Sequence, residues 1–130
     1  FPPSLAQVGL LAALAVCLVA PPSLAAAQSA DPPYEGQLLR LSEILGALHY
    51  LRPLCGADEA QLWRKQMEDL IAAEEPSDRR RARLTDRFNL GYSTFASVYR
   101  TCTPAAAAIV DRYQREGAKI ARDITARYGR

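Results

Sequence analysis

Residues 35–56 read EGQLLRLSEILGALHYLRPLCG, and this stretch decides the fold. Leucines recur at Leu38, Leu41, Leu45 and Leu48, with Ile44 and Leu51 widening the stripe, which is the period of one face of an α-helix. Pro53 bends or stops that helix, and it ends by Cys55-Gly56 with Gly56 as the terminator. Outward from this point, Asp58 reads as an N-cap with Gln61 three residues later, a capping box. The second helix then carries Trp63, Met67, Leu70 and Ile71 on one face and stops before Pro76. Ser77 or Asp78 caps a third helix, whose stripe is Leu84, Phe88, Gly91, Tyr92, Phe95, Tyr99 and Cys102. Thr103-Pro104, a cap followed by proline at the first helical position, opens a fourth. Its stripe is Ile109, Tyr113, Gly117, Ile120 and Ile124, ending at Tyr128. No β-branched alternating run of useful length occurs, so the domain is expected to be all-α.

Short connections make successive helices antiparallel, which predicts an up-down-up-down four-helix bundle. Cys55 and Cys102 then fall at one end of the bundle, so a single disulfide is expected to join the ends of helices 1 and 3. Closing a loop of that length stabilises a fold by about 4 kcal/mol in the chain-entropy picture. Depth along the helices places His49, Trp63, Phe95 and Ile109 in one layer below this disulfide. Gly91 and Gly117 sit on apolar stripes, where a missing side chain lets helices approach closely.

The chain has 130 residues, 49% of them apolar and 23% charged, with a formal net charge of +2. That balance fits one globular domain and excludes a disordered chain. Val8–Ala20 is an uninterrupted run of low polarity followed by Pro21-Pro22 and Ala25-Ala26-Ala27. A bilayer span needs roughly 20 apolar residues, so the run has the length of a signal-peptide core, with cleavage expected after Ala27. The organisation read from this is a signal peptide over 1–27, lacking a basic start, a flexible lead-in over 28–34 and a helical domain over 35–130. Rival readings are a lipoprotein acylated on Cys17 and a retained anchor helix. Val16 before the cysteine and Leu18-Val19 after it disfavour the first, and Pro21-Pro22 disfavours the second. The expected location is the periplasm, with no integral membrane segment after cleavage.

Several segments together resemble a family of small exported alphaproteobacterial proteins catalogued as a domain of unknown function. They are Leu45–Gly56 (LGALHYLRPLCG), Trp63–Met67 (WRKQM), Arg87–Tyr92 (RFNLGY), Tyr99–Ala105 (YRTCTPA) and Glu116-Gly117. The resemblance covers most of the chain after residue 27. It implies export and an all-α, disulfide-bonded domain, and it carries no activity or catalytic residue.

Chemistry is sparse. One His and three Cys, without a C-x-x-C, exclude the common multi-histidine and zinc-ribbon sites, so no metal and no cofactor is expected. His49 is the only imidazole, and neither a G-x-S-x-G turn nor a following aspartate accompanies it. A polar pocket of His49, Arg52, Trp63 and Tyr99 near the disulfide is one candidate site, against a plain core histidine and a capping arginine. The acidic pairs Asp58-Glu59, Glu68-Asp69 and Glu74-Glu75 are adjacent on helices and do not face each other. Glu74 is expected to pair with Arg81 instead.

The compositional anomaly is Arg79, Arg80, Arg81, Arg83 and Arg87, five arginines in nine residues at the start of helix three. Positive charge there opposes the helix dipole, so these residues are a candidate surface for an envelope protein or an anionic envelope component. Their alternative is a solvated face of an arginine-rich chain. Export and near-neutrality argue against nucleic acid. Leu39, Leu62 and Leu90 lie off the apolar stripes and offer a partner or homo-oligomer surface. The main expectation is a non-enzymatic interaction module of the cell envelope. The alternatives are a small-molecule or weakly hydrolytic pocket around His49 and Arg52, and a periplasmic stress chaperone.

Overall fold

The computed structural model describes residues 15–20 and 30–129. Residues 15–20 are exposed and belong to no helix or strand, and Cys17 carries a free thiol. The expected cleavage site after Ala27 lies outside the described residues, as does most of the expected signal peptide. Four helices and no strand make up the described residues: α1 Glu35–Leu54, α2 Leu62–Glu74, α3 Asp78–Ala96 and α4 Pro104–Tyr128. None of these helices is long and apolar enough to cross a membrane.

Local chemistry sets each boundary. At the end of α1, Gly56 takes φ 93° and donates to the Pro53 carbonyl, while Ala57 donates to that of Arg52. This is the paired hydrogen-bond pattern of a glycine-terminated helix. The Asp58–Gln61 capping box does not form. Glu59 is drawn instead to the Arg52 guanidinium and the Trp63 indole, and α2 starts after Gln61 with no side-chain cap. Ser77 caps α3 by accepting from the Arg80 amide at 3.3 Å, and Thr103 caps α4 by accepting from Ala106 at 3.1 Å.

α3 is shorter than the sequence pattern implies. It stops at Ala96, where the hydroxyls of Thr94 and Ser97 accept the role of backbone partners by donating to the carbonyls of Leu90 and Thr94. Such side-chain bonds compete with the helical ladder. Cys102 therefore lies in the connection before α4, and the Cys55–Cys102 disulfide ties the end of α1 to that connection rather than to α3.

The contacts give the directions. Glu35 meets Arg80, Glu43 meets Arg87, and His49 meets Tyr92, so α1 and α3 run parallel. Tyr34 meets Tyr128, Arg40 meets Glu116, and Cys55 meets Cys102, so α4 is antiparallel to α1. Arg52 with Glu59 and Tyr34 with Glu74 set α2 antiparallel as well. The expected up-down-up-down course holds, but the arrangement is not a square. α1 is a central helix against which the other three pack, most extensively α3.

Glycine explains the α1–α3 contact. A Cβ on Gly46 would lie 2.7 Å from the Phe88 carbonyl carbon, and one on Gly91 would lie 2.9 Å from that of Glu43. The two glycines face each other's helix backbone at a single crossing. Gly117 brings α4 against Ile44 and Leu41 more loosely. α1 feeds two core clusters, one near the disulfide (Ile44, Leu48, Leu51, Val110, Tyr113) and one toward the far end (Leu38, Leu45, Met67, Leu84). Trp63, Phe95 and Ile109 share the first of these, whereas His49 packs on Phe88 and Tyr92.

Candidate functional site

The arginine cluster separates into different roles once folded. Arg80 is buried, with its side chain and that of Glu35 both 8% exposed, and it bridges Glu35 and Glu74. These carboxylates raise its already high pKa further, the bond to Glu35 contributing most. Tyr34 adds its hydroxyl to Glu74 at 3.2 Å. The partner of Glu74 is thus Arg80 and not Arg81. Asp31 accepts from Arg83 at 2.6 Å and lies 3.9 Å from Arg79, and the Arg83 bond holds the Asp31 carboxyl below its ordinary value. Arg87 pairs with Glu43 at 3.3 Å. Arg81 differs, because its guanidinium has no partner among the described residues.

The residues of the expected pocket also part company. Arg52 forms a two-point pair with Glu59 at 2.7 and 2.8 Å, and Glu59 accepts from the Trp63 indole at 3.0 Å. The Arg52 bond is the main cause of a lowered Glu59 pKa. This triad pins the start of α2 to the end of α1, as the Arg80–Glu74–Tyr34 group pins the far end of α2. Tyr99 stacks on Phe95 and accepts from the Tyr50 hydroxyl through its backbone oxygen. His49 stands apart from all three.

Pinned at its ends and seated on α1, α2 touches α3 and α4 little along its length. A groove consequently opens on each side of it. The α2–α3 groove encloses about 850 Å³. Met67 and Ile71 of α2, Phe88 and Tyr92 of α3, and the His49 ring give it an apolar floor, with Arg64, Glu68 and Glu75 along one rim and Arg81, Thr85 and Asn89 along the other. Each wall runs three helical turns, from Arg64 to Glu75 and from Arg81 to Tyr92, about 16 Å at 1.5 Å per residue. One residue from each of the two sequence-derived candidates, His49 and Arg81, therefore lines this groove, toward opposite ends.

The imidazole is poised to stay neutral. Its Nδ1 is buried without a hydrogen-bond partner among the described residues. Burial lowers the His49 pKa, and Arg64 lowers it further. No group of three or more potential metal ligands occurs among the described residues. Of the three off-stripe leucines, Leu62 and Leu90 are exposed by 43% and 49%, whereas Leu39 packs on the second core cluster. Sequence reasoning missed the Arg40–Glu116 pair at 2.8 and 2.9 Å and the reciprocal role of Gly46. The sequence marker for Gly46 was its place beside the Ile44-Leu45 stripe, opposite Gly91.

Fold and site together define a small, disulfide-linked helical domain with a long groove on either side of one helix. The chain belongs to the family described as "Protein of unknown function (DUF2385)", whose model matches residues 33–128. Comparison with curated proteins and with solved structures finds no match.

Proposed function

We propose that this domain is a non-enzymatic binding module of the cell envelope, exported to the periplasm, that takes a partner segment in the α2–α3 groove. The observation that carries this reading is an apolar floor three helical turns long in a groove that Arg81 and His49 both line, toward opposite ends. A groove of that form suits an amphipathic helix, with apolar side chains on Met67, Ile71 and Phe88 and an acidic side chain at Arg81. Binding is favoured over catalysis by the state of His49. A catalytic imidazole is oriented by an acceptor on its second nitrogen, and the buried Nδ1 has none. The small-molecule alternative keeps His49 but loses Arg52, which is committed to Glu59. The disulfide supports an oxidising compartment.

The test is in-cell photocrosslinking from position 89, on the α3 rim, followed by mass spectrometry. One envelope protein is expected to be captured by the wild-type chain and lost with Arg81→Glu, while Arg79→Glu with Arg83→Glu weakens capture less. Capture that survives Arg81→Glu refutes the groove as the docking surface.

A further inference from the structure

We propose that the outward face of α4 is a peripheral docking surface for a bilayer leaflet rich in anionic lipids. The apolar face of α4, with Val110, Tyr113 and Gly117, is turned onto α1 and buried. Half a turn round the helix, Ala108, Arg112, Arg115, Lys119, Arg122 and Ala126 follow one another at steps of three or four residues, and all are exposed. Such steps keep residues on one side of a helix. Four cations therefore stand in a single stripe about 15 Å long, opposite the buried face and with no acid among them.

This stripe keeps its charge at the surface, where the arginines of α3 largely do not. Arg80 is buried between two carboxylates, and Arg83 and Arg87 are paired across segments of the fold. On α4 the Glu116 carboxylate is turned to Arg40 of α1. Asp111 and Asp123 flank the stripe on opposite sides and pair with Arg115 at 2.7 Å and Lys119 at 2.5 Å. Both pairs lie within one turn of the helix and are open to solvent. Exposed pairs of this kind hold little energy, so both cations are able to turn to an external anion.

The rest of this face decides the occupant. From Ala105 to Arg127 every exposed residue of α4 is Ala, Thr, Asp, Lys or Arg. A protein partner is held by aromatic or aliphatic anchors at the centre of its interface, and an inserting amphipathic helix needs an apolar face of its own. The exposed face of α4 offers neither. Its match is a flat array of anions met at the surface, where each Lys or Arg multiplies affinity about fivefold. Duplex nucleic acid also repeats anions, and the choice of the leaflet over it rests on the envelope location proposed above. α4 packs on α1 and barely touches α2 or α3, so a chain docked through it leaves the α2–α3 groove, on the far side of α2, open.

For the test, the protein is expressed full-length, purified as the cell processes it, and sedimented with phosphatidylcholine vesicles containing about one-third phosphatidylglycerol, beside pure phosphatidylcholine. Binding to the mixed vesicles alone is expected, and its loss by roughly 0.5 M salt, where exposed charges are screened within a few ångströms. Arg115→Gln with Arg122→Gln is expected to weaken binding about 25-fold. Arg64→Gln with Arg81→Gln removes the same charge from exposed positions in the α2–α3 groove and is expected to leave binding within about twofold. Unchanged melting of both double variants checks that they fold. Partner capture at the groove is expected to respond the opposite way, surviving the first pair and not the second, so the two readings fail separately. Absence of binding, equal binding to pure phosphatidylcholine, equal losses in the two double variants, or tighter binding to duplex DNA at the same salt overturns the proposal.

Discussion

Replacing Gly91 with alanine tests the α1–α3 crossing directly. The added methyl would sit 2.9 Å from the Glu43 carbonyl carbon and 3.0 Å from the Ala47 amide nitrogen, both backbone atoms that cannot turn aside. Ordinary carbon contacts lie at 3.5–4.0 Å, so the helices must part by roughly 1 Å. Forced repacking of this kind costs about 3 kcal/mol. Alanine returns about 1 kcal/mol through its better helix propensity. The net loss is about 2 kcal/mol, which lowers Tm by roughly 8–16 °C in a domain of this size. Two other glycines serve as internal controls. Gly36→Ala meets nothing within 4 Å and should raise stability by about 0.5–1 kcal/mol. Gly117→Ala meets only side chains, Ile44 at 3.2 Å and Leu41 at 3.7 Å, and should fall between them. Gly46→Ala with Gly91→Ala should cost less than the sum of the singles, because either methyl alone already separates the helices. The assay is urea unfolding followed by circular dichroism on the oxidised protein. If Gly91→Ala is as stable as Gly36→Ala, the close crossing is refuted.

The buried ion pair gives a second prediction: Arg80→Leu leaves the buried Glu35 with only Arg83 at 3.7 Å and should cost about 3–5 kcal/mol, while Arg80→Leu with Glu35→Leu recovers most of it in the same unfolding assay. His49 gives a third. Its folded pKa lies below the unfolded value of about 6.5, so its contribution is complete above that pH and is lost as pH falls through the folded pKa. His49→Gln should flatten the decline of Tm between neutral and acid pH; an unchanged slope refutes the assignment to His49. Replacing Cys55 and Cys102 by serine should cost about 4 kcal/mol, and intact mass after alkylation without reductant should leave both wild-type thiols unmodified.

What the sequence disclosed and what it hid have physical causes. The four helices, their caps at Ser77 and Thr103-Pro104, and the cysteine pairing were legible because each rests on local spacing or on a parity that topology enforces. The end of α3 was not, since the apolar stripe runs on through Phe95 and Tyr99 while the helix stops at Ala96, where the hydroxyls of Thr94 and Ser97 bond to nearby carbonyls. At the site, the arginine cluster was visible as composition, but its division into one buried bridge, three surface pairs and the unpartnered Arg81 depends on carboxylates 6 to 52 residues away. Arg52 misled for the same reason: its stripe position pointed to His49, and Glu59 seven residues on captured it. Both grooves arise from how far α2 stands from its flanking helices, a quantity no periodicity encodes.

The dominance of α1 as a shared floor bears on how the chain matures. Its chief partner is α3, and the links between them or to the connection beyond, Glu35 to Arg80, Tyr50 to Tyr99 and Cys55 to Cys102, span 45, 49 and 47 residues. A chain emerging in order from N- to C-terminus thus makes its most apolar helix first and covers it last. Until α3 and the second cysteine arrive, only the α1–α2 hairpin shields it, and loops of that length close slowly compared with adjacent helix pairs. A nascent chain halted near residue 76 would display the α1 stripe covered only by α2, a state prone to aggregate. The same delay keeps the polypeptide threadable, since the disulfide cannot close until residue 102 has appeared.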